Sequence, residues 1–307
     1  MGSRNHKLQS SREGQKDACR NALLAYGAPP ISAFFLHLKA FRVMAQHSAT
    51  ITVMITAARK AARGLMRDFG EVQALQVTRK GISDFVTKAD LKAEETIYET
   101  LTTARPKYGF VMEERGEVEG ADNSNRWIVD PLDGTTNFLH GIGHFAISIA
   151  LERDRQAHAG VIYNPVTEEL FWAEKGEGAW LNNRRLRVSG RSDLSECLFA
   201  TGLPFAGMEG REQALEETRR VLEVTAGIRR FGAAALDLAY VAAGRYDAFW
   251  ERGLNIWDIA AGVCIVREAG GMISEIEGGR NYLTAGSILA ANSEIFEKAK
   301  TLCSNSN

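Results

Sequence analysis

The chain has 307 residues, of which 45% are apolar and 24% charged, and its formal net charge is −1. This composition is typical of a globular protein that buries a substantial core. A near-neutral balance gives no global field that would attract nucleic acid or an anionic membrane, and no apolar run is long enough to span a bilayer. We therefore expect no membrane partner and no direct contact with nucleic acid.

The four cysteines and six histidines are scattered along the chain, without a C-x-x-C pair or an H-E-x-x-H motif. We predict that the cysteines are reduced thiols of a cytoplasmic protein, and that there is no zinc site. Any metal would be bound by carboxylates, which favours Mg²⁺ and permits Mn²⁺.

Residues 1–43 differ from the rest, with seven Lys or Arg against two acids. Such a leader is compatible with a targeting peptide or a disordered arm. We predict a dispensable extension ahead of a single domain at 44–307, because Met44 stands just before the first amphipathic segment.

Apolar residues recur at helical spacing in six segments, and short apolar or alternating runs separated by turn residues predict strands. The predicted helices are 48–69, ended by Gly70, then 87–103, 212–222, 236–243, 256–269 and 293–302, the last capped by Ser293. The predicted strands are 126–129, 145–151, 159–163, 170–173, 179–181, 186–188, 247–250, 272–276 and 288–291. Strand runs between helical layers predict a layered α/β sandwich.

Acidic residues form clusters where these elements end. In the segment 80–90, Asp84 or Thr87 is compatible with a helix cap, and Asp90 with the first helical turn. The pair Glu113 and Glu114 lies in a charged run that by itself predicts only a solvated loop.

The third acidic cluster is the segment 130–136. Asp130 ends an apolar strand, Pro131 follows it, and Asp133-Gly134-Thr135-Thr136 has the composition of a helix start whose free N–H groups face an anion. A capping role for Asp133 leaves Asp130 unexplained, since two carboxylates so close repel each other unless a cation lies between them. The pattern indicates a metal and a phosphate in one turn. A fourth piece, 250–258, has the acids Glu251 and Asp258 at a strand end and a helix start.

Four motifs in order resemble the inositol monophosphatase family over 48–302. They are D-x-V-T-x-x-D at 84–90, Glu113-Glu114, W-I-V-D-P-L-D-G-T-T-N-F at 127–138 and W-D-I-A-A-G at 257–262. The segments 200–205 and 267–271 are similar to the bacterial members. The resemblance implies a layered α-β-α-β-α sandwich of the inositol monophosphatase and fructose-1,6-bisphosphatase type.

The resemblance also implies two or three Mg²⁺ ions per site. The first would be held by Glu113, Asp130 and the carbonyl of Leu132, the second by Asp130, Asp133 and Asp258, and a third, weaker one near Glu113 and Asp90. It implies hydrolysis of a phosphate monoester by in-line attack of a metal-activated water. Thr135, hydrogen-bonded to Asp90, would orient that water with the help of Glu113, while the N–H groups of Gly134 and Thr135 bind the phosphate.

Substrate contacts in the family come from a G-[ST]-A segment, from the Glu that precedes a G-x-x-x-W-D motif, and from the metal-binding acids. The matching residues are Gly232, Ala233, Ala234 and Glu251, with Asp133, Gly134, Thr135 and Asp258. Ala233 departs from the usual hydroxyl residue, and Met112 replaces the glycine of the family's G-E-E triplet. Lys80 matches a lysine on a metal-site loop, where we expect an electrostatic role.

The resemblance favours myo-inositol monophosphate as the small-molecule substrate. Relatives of this fold cleave other sugar phosphates, nucleotides, NADP or histidinol phosphate, and some bacterial members also bind the transcription apparatus. A homodimer and lithium sensitivity are further expectations from the family.

Overall fold

The computed structural model describes residues 47–74, 79–204 and 209–304, with no side-chain description for 72–87. The predicted extension at 1–43 and the segment around Phe205 therefore lie outside the described residues. In chain order the elements are α1 Ala49–Ala74, α2 Arg79–Ala104, β1 Tyr108–Met112, β2 Gly116–Val118, β3 Asp122–Asp133, α3 Thr135–Leu139, β4 Ala146–Arg153, β5 Gln156–Asn164, β6 Glu169–Glu174, β7 Gly178–Leu181, β8 Arg184–Arg185, β9 Leu198–Thr201, α4 Arg211–Val224, β10 Gly227–Arg229, α5 Ala234–Ala242, β11 Ala248–Arg252, α6 Ile256–Glu268, β12 Met272–Ser274, α7 Tyr282–Ala285, β13 Ser287–Ala291 and α8 Phe296–Cys303.

The strands form two sheets. The larger has the order β2-β1-β3-β4-β5-β6-β7-β8 and is antiparallel except for the parallel pair β1 and β3. The smaller has the order β10-β9-β11-β13-β12, and β10, β9 and β11 run parallel. Parallel strands end at one edge of a sheet, and their carboxyl ends are where such folds place ligands.

The helices make three layers around these sheets. Helices α1 and α2 cover one face of the large sheet, and α5 and α6 pack between the two sheets. Helices α4 and α8 cover the outer face of the small sheet. The predicted α-β-α-β-α arrangement is confirmed. The core between the sheets is made largely from the buried faces of α5 and α6, which bury Leu238 and Val263 completely.

Helix α1 shows the amphipathic packing that its sequence predicts. Its apolar stripe of Ile51, Met54, Ala58, Ala61 and Leu65 is buried against the sheet and α2, each side chain at most 1% exposed. The helix continues past Gly70 to Ala74, so the predicted stop at Gly70 is wrong. Glycine in a helix costs only about 1 kcal/mol relative to alanine, which does not end a helix without a further breaker.

Two predicted helix starts are also wrong. Helix α2 begins at Arg79, so Asp84 and Thr87 lie inside it and do not cap it. Helix α8 begins at Phe296, after a turn in which the Asn292 side chain accepts hydrogen bonds from the N–H groups of Glu294 and Ile295, at 2.9 and 3.2 Å. Asn292 thus closes the turn before α8, while the helix has Ile295 at its N-cap and no side-chain cap, so the predicted cap at Ser293 is wrong.

Most predicted strands are present with shifted ends, and residues 182–183 form the turn that follows β7. The strand after it is Arg184–Arg185, not 186–188, although the N–H of Leu186 still donates to the carbonyl of Ala179 at 2.7 Å. Strands β1, β2, β9 and β10 were not predicted. Among the described helices, none is both long and apolar enough to cross a membrane.

Candidate active site

The parallel pairing of β1 and β3 brings the second and third acidic clusters together. Met112 is in register with Val129, so Glu113 and Asp130 are the next residues at the carboxyl ends of both strands. The N–H of Glu113 continues the ladder and donates to the carbonyl of Val129 at 3.2 Å. The two carboxylates are close enough for each to affect the pKa of the other.

The chain turns sharply after Asp130. The pairing of β3 with β4 is irregular between Asp130 and Asp133, where Pro131 interrupts the ladder. Asp130 accepts a hydrogen bond of 2.9 Å from the N–H of Leu132. Gly134 then adopts a left-handed conformation, with φ 91° and ψ 34°, and caps α3. A side chain there would be strained and would meet the carbonyl of His144 at 3.0 Å, so the turn requires glycine.

A further acid of the site, Asp258, comes from helix α6, which packs between the two sheets. Asp258 lies in the first turn of α6, and its carboxylate accepts a hydrogen bond of 2.6 Å from the N–H of Asn255. Asp133 accepts one of 2.8 Å from the N–H of Ala235 at the start of α5. Backbone N–H groups thereby orient one oxygen of each carboxylate.

Burial and mutual repulsion perturb these acids strongly. Burial, followed by repulsion from Asp133, Glu113 and Asp258, raises the pKa of Asp130 well above its ordinary value. Burial and then repulsion from Asp258 do the same for the pKa of Asp133. Burial raises the pKa of Asp258 to about 6. Like charges packed this way indicate a site that a cation would stabilise.

Glu113 and Asp90 extend the cluster toward α2. The Glu113 side chain is exposed, yet surrounding protein limits the hydration of its carboxylate, and this with repulsion from Asp258 raises its pKa to about 6. Asp90 is 6% exposed, and burial with repulsion from Glu114, Glu113 and Glu94 raises its pKa to about 8. Within the described residues Asp90 Oδ1 has no hydrogen-bond partner.

The predicted hydrogen bond between Thr135 and Asp90 is not present. The Thr135 hydroxyl donates instead to the carbonyl of Leu132 at 3.0 Å. A hydroxyl has one hydrogen to donate, and the first turn of α3 places it above its own preceding loop. Thr135 therefore lies beside the carbonyl that the resemblance assigns to a metal.

A cavity of about 430 Å³ opens onto this cluster. Asp133, Asp258 and Glu251 line it together with the loop from Gly134 to Asn137. Of the predicted G-[ST]-A segment, Gly232 and Ala234 line the cavity, while Ala233 is 1% exposed. Burial raises the pKa of Glu251 to about 8, and the Arg230 guanidinium opposes that shift.

Three polar residues near the cavity were not predicted. Glu94, one turn after Asp90 on α2, is fully buried and accepts a hydrogen bond of 2.9 Å from the N–H of Glu114. Asp237 is the single acid in the otherwise apolar helix α5, which was a signal available in the sequence. Arg230 lies at the carboxyl end of β10, a strand too short to predict.

Comparison with known proteins decides the family. The profile of the inositol monophosphatase family matches residues 46–306. The chain belongs to the inositol monophosphatase family. It is 60% identical over 245 residues to an inositol-1-monophosphatase of Caulobacter vibrioides, which covers 79% of this chain and 96% of that protein. The family and this similarity show that the chain is a phosphatase.

Two further similarities concern proteins with another name. The chain is 45% identical over 255 residues to the Nus factor SuhB of Pseudomonas aeruginosa, covering 82% of this chain and 94% of that protein. A crystal structure of the extragenic suppressor protein suhB from Bartonella henselae superimposes with a TM-score of 0.78 at 53% identity. It covers 85% of this chain and all of that one.

Proposed function

We propose that this phosphatase hydrolyses myo-inositol monophosphate to inositol and phosphate, with Mg²⁺ as its cofactor. The observation that carries the proposal is the clustering of Glu113, Asp130, Asp133 and Asp258, of which Asp133 and Asp258 line a cavity that also contains Glu251. Such a site combines oxygen ligands for a hard cation with an acceptor for the hydroxyl groups of a polyol.

The donor set fits magnesium. Among the described residues, no group of three acidic, histidine or cysteine side chains is close enough together to hold a metal ion without rearrangement. The carboxylates nevertheless repel one another, and Asp90 has a buried oxygen without a partner, both of which a cation would relieve. Every donor is a carboxylate or carbonyl oxygen, the ligand type that Mg²⁺ prefers and that also accepts Mn²⁺.

Glu113, Asp130 and the Leu132 carbonyl would hold one ion, and Asp130, Asp133 and Asp258 a second. Asp90 would contribute with Glu113 to a third. Bound Mg²⁺ supplies the positive charge that lowers the pKa of water and offsets charge on the phosphate.

The chain's own groups do the rest of the proposed reaction. Glu113 accepts the proton of the attacking water as a general base. The Thr135 hydroxyl, directed at Leu132, orients that water in line with the bond that breaks. The N–H groups of Gly134 and Thr135 bind phosphate oxygens. Glu251 accepts hydrogen bonds from two adjacent hydroxyls of the alcohol.

A panel of esters tests the substrate. Myo-inositol 1-phosphate, fructose 1,6-bisphosphate, a 3′-phosphoadenosine nucleotide, NADP and histidinol phosphate would be assayed with Mg²⁺ by phosphate release. We expect the highest kcat/KM on the inositol ester. The highest value on a nucleotide would reject the inositol assignment, and no release from any ester would reject the proposed activity.

A binding role with the transcription apparatus is the second candidate, supported by the similarity to the Nus factor SuhB. Asp130→Asn separates the two, because it removes the shared carboxylate while the surface is kept. A cellular phenotype that survives this substitution would come from binding. If the phenotype is lost together with hydrolysis, it would be assigned to hydrolysis.

Four further expectations are part of this proposal. They are a homodimer, inhibition by lithium, a cytoplasmic location and a dispensable extension at 1–43. The buried, unpaired thiols of Cys197, Cys264 and Cys303 fit a reducing compartment. The family match, which begins at residue 46, fits a domain that starts near Met44. Light scattering of the purified protein tests the dimer.

A further inference from the structure

The three parallel strands of the small sheet end beside the cavity, which is lined by the residues that follow β9 and β10 and by the end of β11. Arg229 is in register with Ala200, and Thr201 with Trp250. Continuing these registers by one residue places Gly202 beside Glu251, and Arg230 beside Thr201. Arg230, Glu251 and Leu203 line the cavity, and Gly202 links the end of β9 at Thr201 to Leu203.

The direction of the Glu251 side chain is set by its neighbours in β11. Trp250 Nε1 and Arg252 Nε donate to the Glu217 carboxylate on α4, at 3.1 and 3.0 Å, on the outer face of the sheet. Successive side chains of a strand alternate between faces, so Glu251 points to the opposite, cavity face. On its other flank Glu251 pairs with Ile288, which is fully buried.

Gly202 provides the space that the Glu251 carboxylate occupies. A Cβ atom at residue 202 would lie 1.8 Å from Glu251 Oε1 and 2.0 Å from its Cδ. The backbone of Gly202 is not left-handed, so its conformation alone does not require glycine. The close approach of the carboxylate is the reason for a residue without a side chain.

We propose that Gly202 is a positioning residue that determines substrate specificity, because the gap it leaves holds the Glu251 carboxylate where it accepts hydrogen bonds from adjacent hydroxyls of a polyol phosphate. This inference rests on the proposed function of Glu251. It adds that selectivity for a vicinal diol depends on residue 202, which is not among the residues proposed to bind the phosphate or the metal.

Gly202→Ala is the test, since the atoms that its methyl group meets are the far end of a flexible side chain and the fold can remain. With myo-inositol 1-phosphate we expect KM to rise about tenfold or more, the loss typical of one or two hydrogen bonds, with kcat little changed. With phenyl phosphate, which has no hydroxyl next to the ester carbon, we expect no change. Gly190→Ala is the matched control, because the space around residue 190 is open.

A double substitution distinguishes positioning from general damage. In the Glu251→Ala background the carboxylate is gone, so adding Gly202→Ala should leave KM for the inositol ester unchanged. Equal KM increases for both esters, or an undiminished effect of Gly202→Ala without Glu251, would overturn the inference. If the wild type is active on the inositol ester and Gly202→Ala leaves KM unchanged, the inference about Gly202 is overturned and the proposed function stands. If the wild type is inactive on all esters, the proposed function itself is rejected.

Discussion

The carboxylates of Glu113 and Asp130 lie where the parallel pairing of β1 with β3 ends, close enough for each to affect the pKa of the other. The residues are 17 positions apart in the chain and adjacent in the sheet because Met112 is in register with Val129. In the proposed reaction this pair shares a cation, and Glu113 also accepts a proton.

Glu113 and Glu114 provide a matched pair for testing that role. We expect Glu113→Gln to lower kcat by about 100-fold or more, the range typical of a lost general base, and Glu114→Gln to lower it far less. The Glu114 side chain is exposed, and its contact with α2 is made by its backbone N–H to Glu94, which the substitution keeps. Steady-state phosphate release measures both, and equal losses would contradict the assignment of Glu113.

Asp130→Asn should abolish hydrolysis without unfolding the protein. An amide keeps an oxygen to accept the hydrogen bond from the Leu132 N–H, but it removes the charge that two cations would share. We expect loss of more than about 1,000-fold in kcat/KM, with a melting temperature in chelator equal to or above that of the wild type, since a repulsion is removed.

Asp154→Asn is the control for that substitution. Asp154 is exposed in the turn between β4 and β5, with a φ of 50° that asparagine also adopts. Wild-type activity is expected there. Residual activity of Asp130→Asn close to the wild-type value would show that this carboxylate is dispensable.

The stability of the metal-free protein should fall as the pH rises. The pKa of Asp90 is about 8 in the folded protein against 3.8 ordinarily, so between these values the folded state binds more protons than the unfolded chain. The free energy of unfolding therefore decreases from about pH 4 to pH 8 and levels off above. In chelator we expect the melting temperature to drop by about 5 °C between pH 6 and 8.

Mg²⁺ should reduce this pH dependence, because bound cations favour the ionised carboxylates. Asp90→Asn should reduce it as well, without metal. Differential scanning calorimetry in a single buffer series would measure both effects. A melting temperature that rises with pH in chelator would contradict this prediction, because acids with raised pKa values destabilise the folded protein as they ionise.

Thr135→Ala and Thr135→Ser separate the hydroxyl from the rest of the side chain. Thr135→Ala removes the hydrogen bond to the Leu132 carbonyl and the group proposed to orient water, and we expect kcat to fall about 10- to 100-fold. Thr135→Ser keeps the hydroxyl and should retain most of the activity. If serine is as poor as alanine, the methyl group and not the hydroxyl is what matters.

The sequence alone determined the part of the site that is contiguous. Asp130, Asp133, Gly134 and Thr135 belong to one strand end and the following turn, and backbone geometry over so short a segment depends on its own residues, above all on Pro131 and the left-handed Gly134. The stripe of α1 was predictable for the same reason, since helical periodicity is local.

Tertiary structure decided what comes from distant segments. The short strands β1, β9 and β10 exist because neighbouring strands provide their hydrogen bonds, and the register of these strands places Glu113 beside Asp130 and Gly202 beside Glu251. The same is true of the Thr135 hydroxyl, which donates to Leu132 and not to Asp90. The physical reason is that strand register and side-chain contacts across layers depend on packing between elements, which no single segment of sequence encodes.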